Sequence, residues 1–210
     1  MSGWLGWHEA YDEPGSALHT RLGLVIGHLA RAVSDRPAGP VRLISMCAGQ
    51  ARDVEGALRD HPRRAEVTGR LVELDPRNVA VARERLAGLP GLTVVQGDAG
   101  EAGAYAGAVP AGVVLACGIF GNVPDGDIRA TIAALPGFCA AGARVIWTRH
   151  RRAPDATGLI RDRFAGAGFR EIAFDAPAGL PIGVGVHELA VAPAPFPEGR
   201  HLFTFGAPPP

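Results

Sequence analysis

The chain has 210 residues, 47% of them hydrophobic and 20% charged, and its 21 basic and 21 acidic side chains cancel. That length supports one well-buried core, and the composition is that of an ordinary globular protein. Zero net charge removes any bulk electrostatic case for nucleic acid or an anionic membrane surface.

Residues 1–15 are aromatic and polar, with Trp4, Trp7, His8 and Tyr11 crowded together. They lack the basic start and apolar run of a secretory signal. Ser16 is placed to cap a helix running to about Val33, whose Leu18, Leu22, Val25, Ile26 and Leu29 recur at helical spacing. SDRPAGP ends it, VRLISM (41–46) reads as a buried strand, and DVEGALRDH as a short helix. RLVELD (70–75) is a second strand, followed by the helix PRNVAVARERLAGL, whose leading proline sits where a missing N–H costs nothing.

LTVVQGD (92–98) and GVVLACGIF (112–120) are the next strands, DGDIRATIAAL a helix, ARVIWTRH (143–150) a fifth strand, and residues 155–167 a further helix. FREIAFDAP and VGVHELAVAP are strands with no helix-length segment between them, so they are expected to pair antiparallel. The closing APPP reads as a frayed tail. The expected organisation is a single domain. Residues 1–38 form an N-terminal lid segment and helix, 40–192 the core, and 193–210 a tail. No apolar stretch approaches the length of a bilayer span. Cys47, Cys117 and Cys139 are too few and scattered for a disulfide scaffold or a zinc site, so a reduced cytoplasmic setting without a metal is expected.

Strands alternating with helices imply a parallel sheet covered on both faces, with ligands at the carboxyl ends of the strands. The loops to inspect are therefore 45–53, 73–78, 97–102 and 116–124. In ISMCAGQARD, Gly49 keeps one position where the backbone needs freedom, while Cys47 and Ala51 stand where glycine is expected. Alone this is either a nucleotide loop or a plain strand-to-helix turn. Glu73 ends the second strand about 20 residues onward, where a carboxylate accepts from ribose hydroxyls. Asp75, just before Pro76, also suits the start of the following helix. Asp98 ends the third strand, either against an adenine amine or as a cap.

Taken together, ISMCAGQARD, VELDPRNVAVAR and VVQGDA resemble, in order and spacing, three motifs of the class I S-adenosylmethionine-dependent methyltransferases, over roughly residues 40–192. The resemblance implies an α/β, Rossmann-like three-layer sandwich whose seven-stranded, mostly parallel sheet ends in an antiparallel C-terminal hairpin. It implies S-adenosyl-L-methionine as cofactor, with Glu73 on the ribose and Asp98 on the adenine amine. Cofactor contacts are further expected from Ser45, Cys47, Ala48, Gly49, Asp75, Gly97 and Ala99, and from main-chain carbonyls near Cys117 and Gly118. The chain departs from the family at Ser45, where an acid is usual, and at Cys47 and Ala51, where glycine is usual.

The acceptor is expected between two polar segments. In WLGWHEAYD, Trp4, Trp7 and Tyr11 either wall an aromatic or cationic acceptor or seal the core, and His8 is a base or a surface residue. In WTRHRR, His150 faces the pocket, and Arg149, Arg151 and Arg152 either attract an anionic substrate or form a solvated basic turn. His8, Tyr11 and His150 are thus the catalytic candidates. His28 and His187 are packing candidates, Arg21 is in reach of a methionine carboxylate, and Asn122 either orients substrate or caps the helix near Asp125. The chain lacks the Asn/Asp-Pro-Pro-aromatic motif of family members that methylate nucleic-acid amines. The reading is therefore a small-molecule methyltransferase acting on oxygen or nitrogen, or on carbon. Its alternatives are an RNA or protein methyltransferase, or a catalytically inactive cofactor-binding protein of the same fold.

Overall fold

The computed structural model describes residues 11–205, so Trp4, Trp7, His8 and the closing APPP lie outside the described residues. Helix α1 (Ala17–Ser34) begins where the Ser16 hydroxyl accepts from the His19 amide at 3.0 Å, the cap read from sequence. Its buried stripe, Val25, His28, Leu29, Ala32 and Val33, keeps helical spacing and lies on the sheet. At its end the Arg63 guanidinium gathers the carbonyls of Val33 (2.8 Å), Arg36 (2.7 Å) and Gly39 (2.9 Å). Of these, Val33 O lies in the last turn of the helix, where no i+4 amide of the helix is left to donate to it.

The strands are β1 (Val41–Met46), β2 (Val67–Glu73), β3 (Leu92–Gln96), β4 (Ala111–Ala116), β5 (Cys139–His150), β6 (Phe169–Asp175) and β7 (Ile182–Leu189). The helices between them are α2 (Arg52–Leu58), α3 (Pro76–Arg85), α4 (Asp125–Ala134) and α5 (Thr157–Gly166). The sheet order is β3-β2-β1-β4-β5-β7-β6. β6 and β7 pair antiparallel as expected, and β7 inserts between β5 and β6, antiparallel to both. Strand alternation divides the core: Ile44, Met46, Val114, Val145 and Trp147 serve one face, Leu43, Val113, Leu115, Ile146 and Val186 the other.

Several boundaries differ from the sequence reading. β2 starts three residues earlier, at Val67, running through Gly69, where a Cβ would stand 1.8 Å from the Leu43 carbonyl oxygen. The close approach of the two strands requires glycine there. β5 starts at Cys139 through a small-residue run with a register shift against β4. β4 stops at Ala116, because Gly118 turns the chain at φ 76° and sends Ile119 and Phe120 into the core.

Between β3 and β4 there is no α-helix, only a 3₁₀ turn at Ala102–Tyr105. Residues 193–205 cover that region. The Leu202 amide donates to Gly100 O at 2.8 Å, the Ala102 amide to Arg200 O at 3.0 Å, and Leu202 and Phe203 are buried. Among the described residues no helix is long and apolar enough to cross a membrane.

Candidate functional site

The loop joining β1 to α2 holds Cys47, Gly49 and Ala51 at φ 56°, 54° and 55°, all left-handed. For a residue with a Cβ that conformation costs about 1–2 kcal/mol. The loop thus keeps a glycine-loop backbone with glycine at one of three positions. What holds it is tertiary: the Gly49 amide donates to Glu73 Oε2 at 2.7 Å and the Ala48 amide to Val72 O at 3.0 Å.

Glu73 is 9% exposed, at the carboxyl end of β2. Its Oε1 accepts from the Asp75 amide at 3.0 Å and from Asn78 Nδ2 at 3.5 Å. A carboxylate offers about four acceptor positions, so three protein donors do not exhaust it. Asp75 caps α3 by accepting from the Arg77 amide at 2.9 Å, and the Arg77 guanidinium beside it holds its carboxyl down at about 2. Asp98, exposed, accepts from the Gly100 amide at 2.7 Å, which closes a turn rather than capping an α-helix.

A cavity of about 770 Å³ opens over these groups. Its walls bring together Tyr11, Cys47, Ala48, Gly49, Glu73, Asp75, Asp98, Ala99, Cys117 and Gly118 from the expected set. Ser45 is not in the wall: it is buried in β1, in register with Leu71 and Leu115. Gly97 is likewise outside it, its amide donating to Glu73 O at 3.0 Å. His150 lies outside the wall too, its Cδ2 3.3 Å from where Gly121 would carry a Cβ, and its buried Nδ1 has no hydrogen-bond partner. Burial, with Arg149 and Arg152 adding, lowers its pKa. Of its basic neighbours, Arg149 donates to Phe120 O and Arg151 pairs with Asp155 at 3.1 Å.

The other end of the cavity is polar. Arg21 donates to the Tyr11 hydroxyl, whose pKa rises through burial against the opposing pull of that guanidinium. Asp53, in the first turn of α2, accepts from the Val54 amide at 2.8 Å and is also raised by burial. Burial and the nearby Asp53 push the Cys117 thiol up. The Gly118 peptide is held from both sides: its amide donates to Thr148 Oγ1 at 2.9 Å and its carbonyl accepts from Asn122 Nδ2 at 2.7 Å. Asn122 therefore does not cap α4, whose N-cap residue is Pro124. The chain before α1 is tied across this end by the Arg52 fork on Asp12 (2.5 and 3.1 Å) and by Tyr11 O accepting from His19 Nδ1 at 2.9 Å.

No protein-family model and no curated protein matches the sequence. Solved structures do match the fold. Magnesium protoporphyrin IX methyltransferase (ChlM) from Synechocystis PCC 6803, with bound SAM, gives a TM-score of 0.67 at 12% identity, over 89% of this chain and 91% of that one. The N-methyltransferase NodS from Bradyrhizobium japonicum WM9 gives 0.62 at 12% identity, over 85% of this chain and 99% of that one. The CurJ carbon methyltransferase gives 0.66 at 14% identity over 86% of this chain, which spans 57% of that chain. The fold is the Rossmann-like methyltransferase fold.

Within that fold the walls include residues the sequence reading did not select: Asp53, Gln50, Arg52, Leu74, Arg77, Asn78 and Phe205. Asp53 carried a legible signal, an acid in the first turn of the helix after the loop. Leu74, an apolar residue between two acids and 66% exposed, carried another. Phe205 carried none, since its segment reads as a tail.

Proposed function

We propose that the chain is an S-adenosyl-L-methionine-dependent methyltransferase acting on a small molecule at oxygen or nitrogen, or at carbon. One observation carries this reading: a single cavity collects the left-handed loop at 47–51, the strand-end acids Glu73 and Asp98, and the Gly118 turn. Its volume of about 770 Å³ lies within the roughly 300–1,000 Å³ usual for small-ligand and cofactor sites.

The residues present fit the cofactor. Glu73 has spare acceptor capacity for ribose hydroxyls, Asp98 accepts from the adenine amine, and the carbonyls at Cys117 and Gly118 accept from the methionine ammonium. The last contact answers the loss of an acid at Ser45, which is buried away from the cavity. S-adenosylmethionine supplies an electrophilic methyl group on its sulfonium. The protein's own task is then to align the acceptor and exclude water. Tyr11 and Asp53 stand at the acceptor end, and a carboxylate raised toward working pH is the better base for a hydroxyl or ammonium that must lose a proton. The chain's balanced charge and the tied segment at Asp12 favour a small acceptor over a polymer. All three cysteines are free, which suits the proposed cytoplasmic setting.

The test is calorimetric titration with S-adenosylmethionine and S-adenosylhomocysteine, with NAD as control, on wild type and Glu73→Ala. Saturable binding of the first two, lost in the variant, supports the reading and opens acceptor screening. Folded wild type that binds neither sinks it.

A further inference from the structure

The described part of the segment that reads as a tail reaches the cavity. Phe205 lines it, 37% exposed, as does the 66% exposed Leu74. Exposed apolar side chains gathered in one concavity mark a ligand site, and here two share the cavity that also holds Asp98. Phe205 is also firmly delivered. The Thr204 amide donates to Asp127 Oδ2 at 2.8 Å, and His201 engages Glu101 Oε1 and Thr204 Oγ1, each at 2.9 Å. The Phe205 ring meets Phe203 edge-on at 5.6 Å, and Phe203 is 1% exposed. The same segment braces the Asp98 turn: Leu202 bonds Gly100 O, and a Cβ at Gly100 would lie 2.3 Å from Phe203 O.

We infer that residues 200–205 are part of the ligand site, with Phe205 an aromatic wall for the flat, amine-bearing purine that Asp98 accepts from. This rests on the proposed cofactor reading and assigns a binding residue that the strand-end motifs do not contain. An aromatic face accepts any planar base by stacking, and a neighbouring carboxylate then selects one carrying a donor. Phe205 is a positioning residue: it holds the purine and touches no reacting atom.

The test compares wild type, Phe205→Ala and Phe205→Tyr by calorimetry with S-adenosylhomocysteine and with 5′-methylthioadenosine, which keeps the purine and lacks the amino acid. Phe205→Ala is expected to weaken both ligands by the same factor, about 10- to 100-fold, as for loss of one aromatic stack. Phe205→Tyr is expected to stay within about threefold of wild type, and melting temperatures to be unchanged in both variants. Equal affinity in wild type and Phe205→Ala overturns this assignment alone, as does a loss confined to S-adenosylhomocysteine. Wild type that binds neither ligand overturns the cofactor reading and this assignment with it.

Discussion

Glu73 and His187 are both nearly buried on the same sheet, 9% and 1% exposed, but they are satisfied in opposite ways. His187, in β7, accepts from Trp147 Nε1 at 3.0 Å through Nδ1, its ring lies 4.4 Å from that of Phe164, and its Nε2 faces Glu171 Oε2 at 3.5 Å. Trp147 in turn stacks between Phe164 and Phe174, each at 5.9 Å, in space that Gly185 leaves open; a Cβ there would come within 2.3 Å of the indole. Everything this histidine needs is supplied by the chain, so it belongs to the core, as its place in the last strand suggested. Glu73 props a strained loop and still opens onto a cavity with acceptor capacity to spare. Surplus hydrogen-bonding capacity at a buried charge, rather than burial itself, separates the site from the core.

The largest break in that contrast is Trp147→Ala. It should cost about 3–5 kcal/mol of stability, read as a fall in the urea midpoint. A loss under about 1 kcal/mol would show that the aromatic stack is not core.

His187 should next make the core half sensitive to acid. Burial holds its pKa at about 4, below the ordinary histidine value of 6.5, despite the opposing pull of Glu171. Between those values the unfolded chain binds a proton that the native chain refuses, so stability falls as pH drops from about 6.5 to 4 and this contribution levels off below. The gap corresponds to at most about 3–4 kcal/mol. Urea midpoints at pH 7, 5.5 and 4.5 should show a slope that His187→Gln flattens, since glutamine accepts from Trp147 without titrating. Parallel slopes in the two proteins would refute it.

On the site half, Glu73→Ala without ligand should cost about 1–3 kcal/mol, because the Gly49 and Asp75 amides lose their acceptor. An unchanged midpoint would mean the loop keeps its shape without that carboxylate. The smallest effect is at the loop itself. Ala51→Gly removes about 1–2 kcal/mol of left-handed strain and about 0.8 kcal/mol of buried methyl, so it should be neutral to mildly stabilising. Cys47→Val, which puts a β-branched side chain at φ 56°, should lower the melting temperature. A more stable valine variant would contradict the strain.

Much of the frame was legible because its causes are local. The Ser16 cap, the proline opening α3, the seven strand patterns and the antiparallel pairing of β6 with β7 each follow from a few neighbouring residues. Boundaries were missed where small residues hid a strand: Gly69 and the run after Cys139 look like breakers, yet one lies against Leu43 and the other opens β5. In the site, the acids at strand ends were visible because strand and motif end together. Ser45 was misplaced because the motif position matched, yet its side chain is buried in β1 and is not in the cavity wall.

The sequence by itself determined the helices, the strands and the order in which Gly49, Glu73 and Asp98 arrive, since periodicity and caps act over a few residues. Tertiary structure alone decided the rest. The bond from Gly49 to Glu73 joins residues 24 apart and keeps Cys47 and Ala51 left-handed against their own preference. Pairing across the sheet put β7 between β5 and β6, and packing against Gly100 carried Phe205 to the cavity. Such contacts depend on what lies opposite in space, and no local pattern of residues records that.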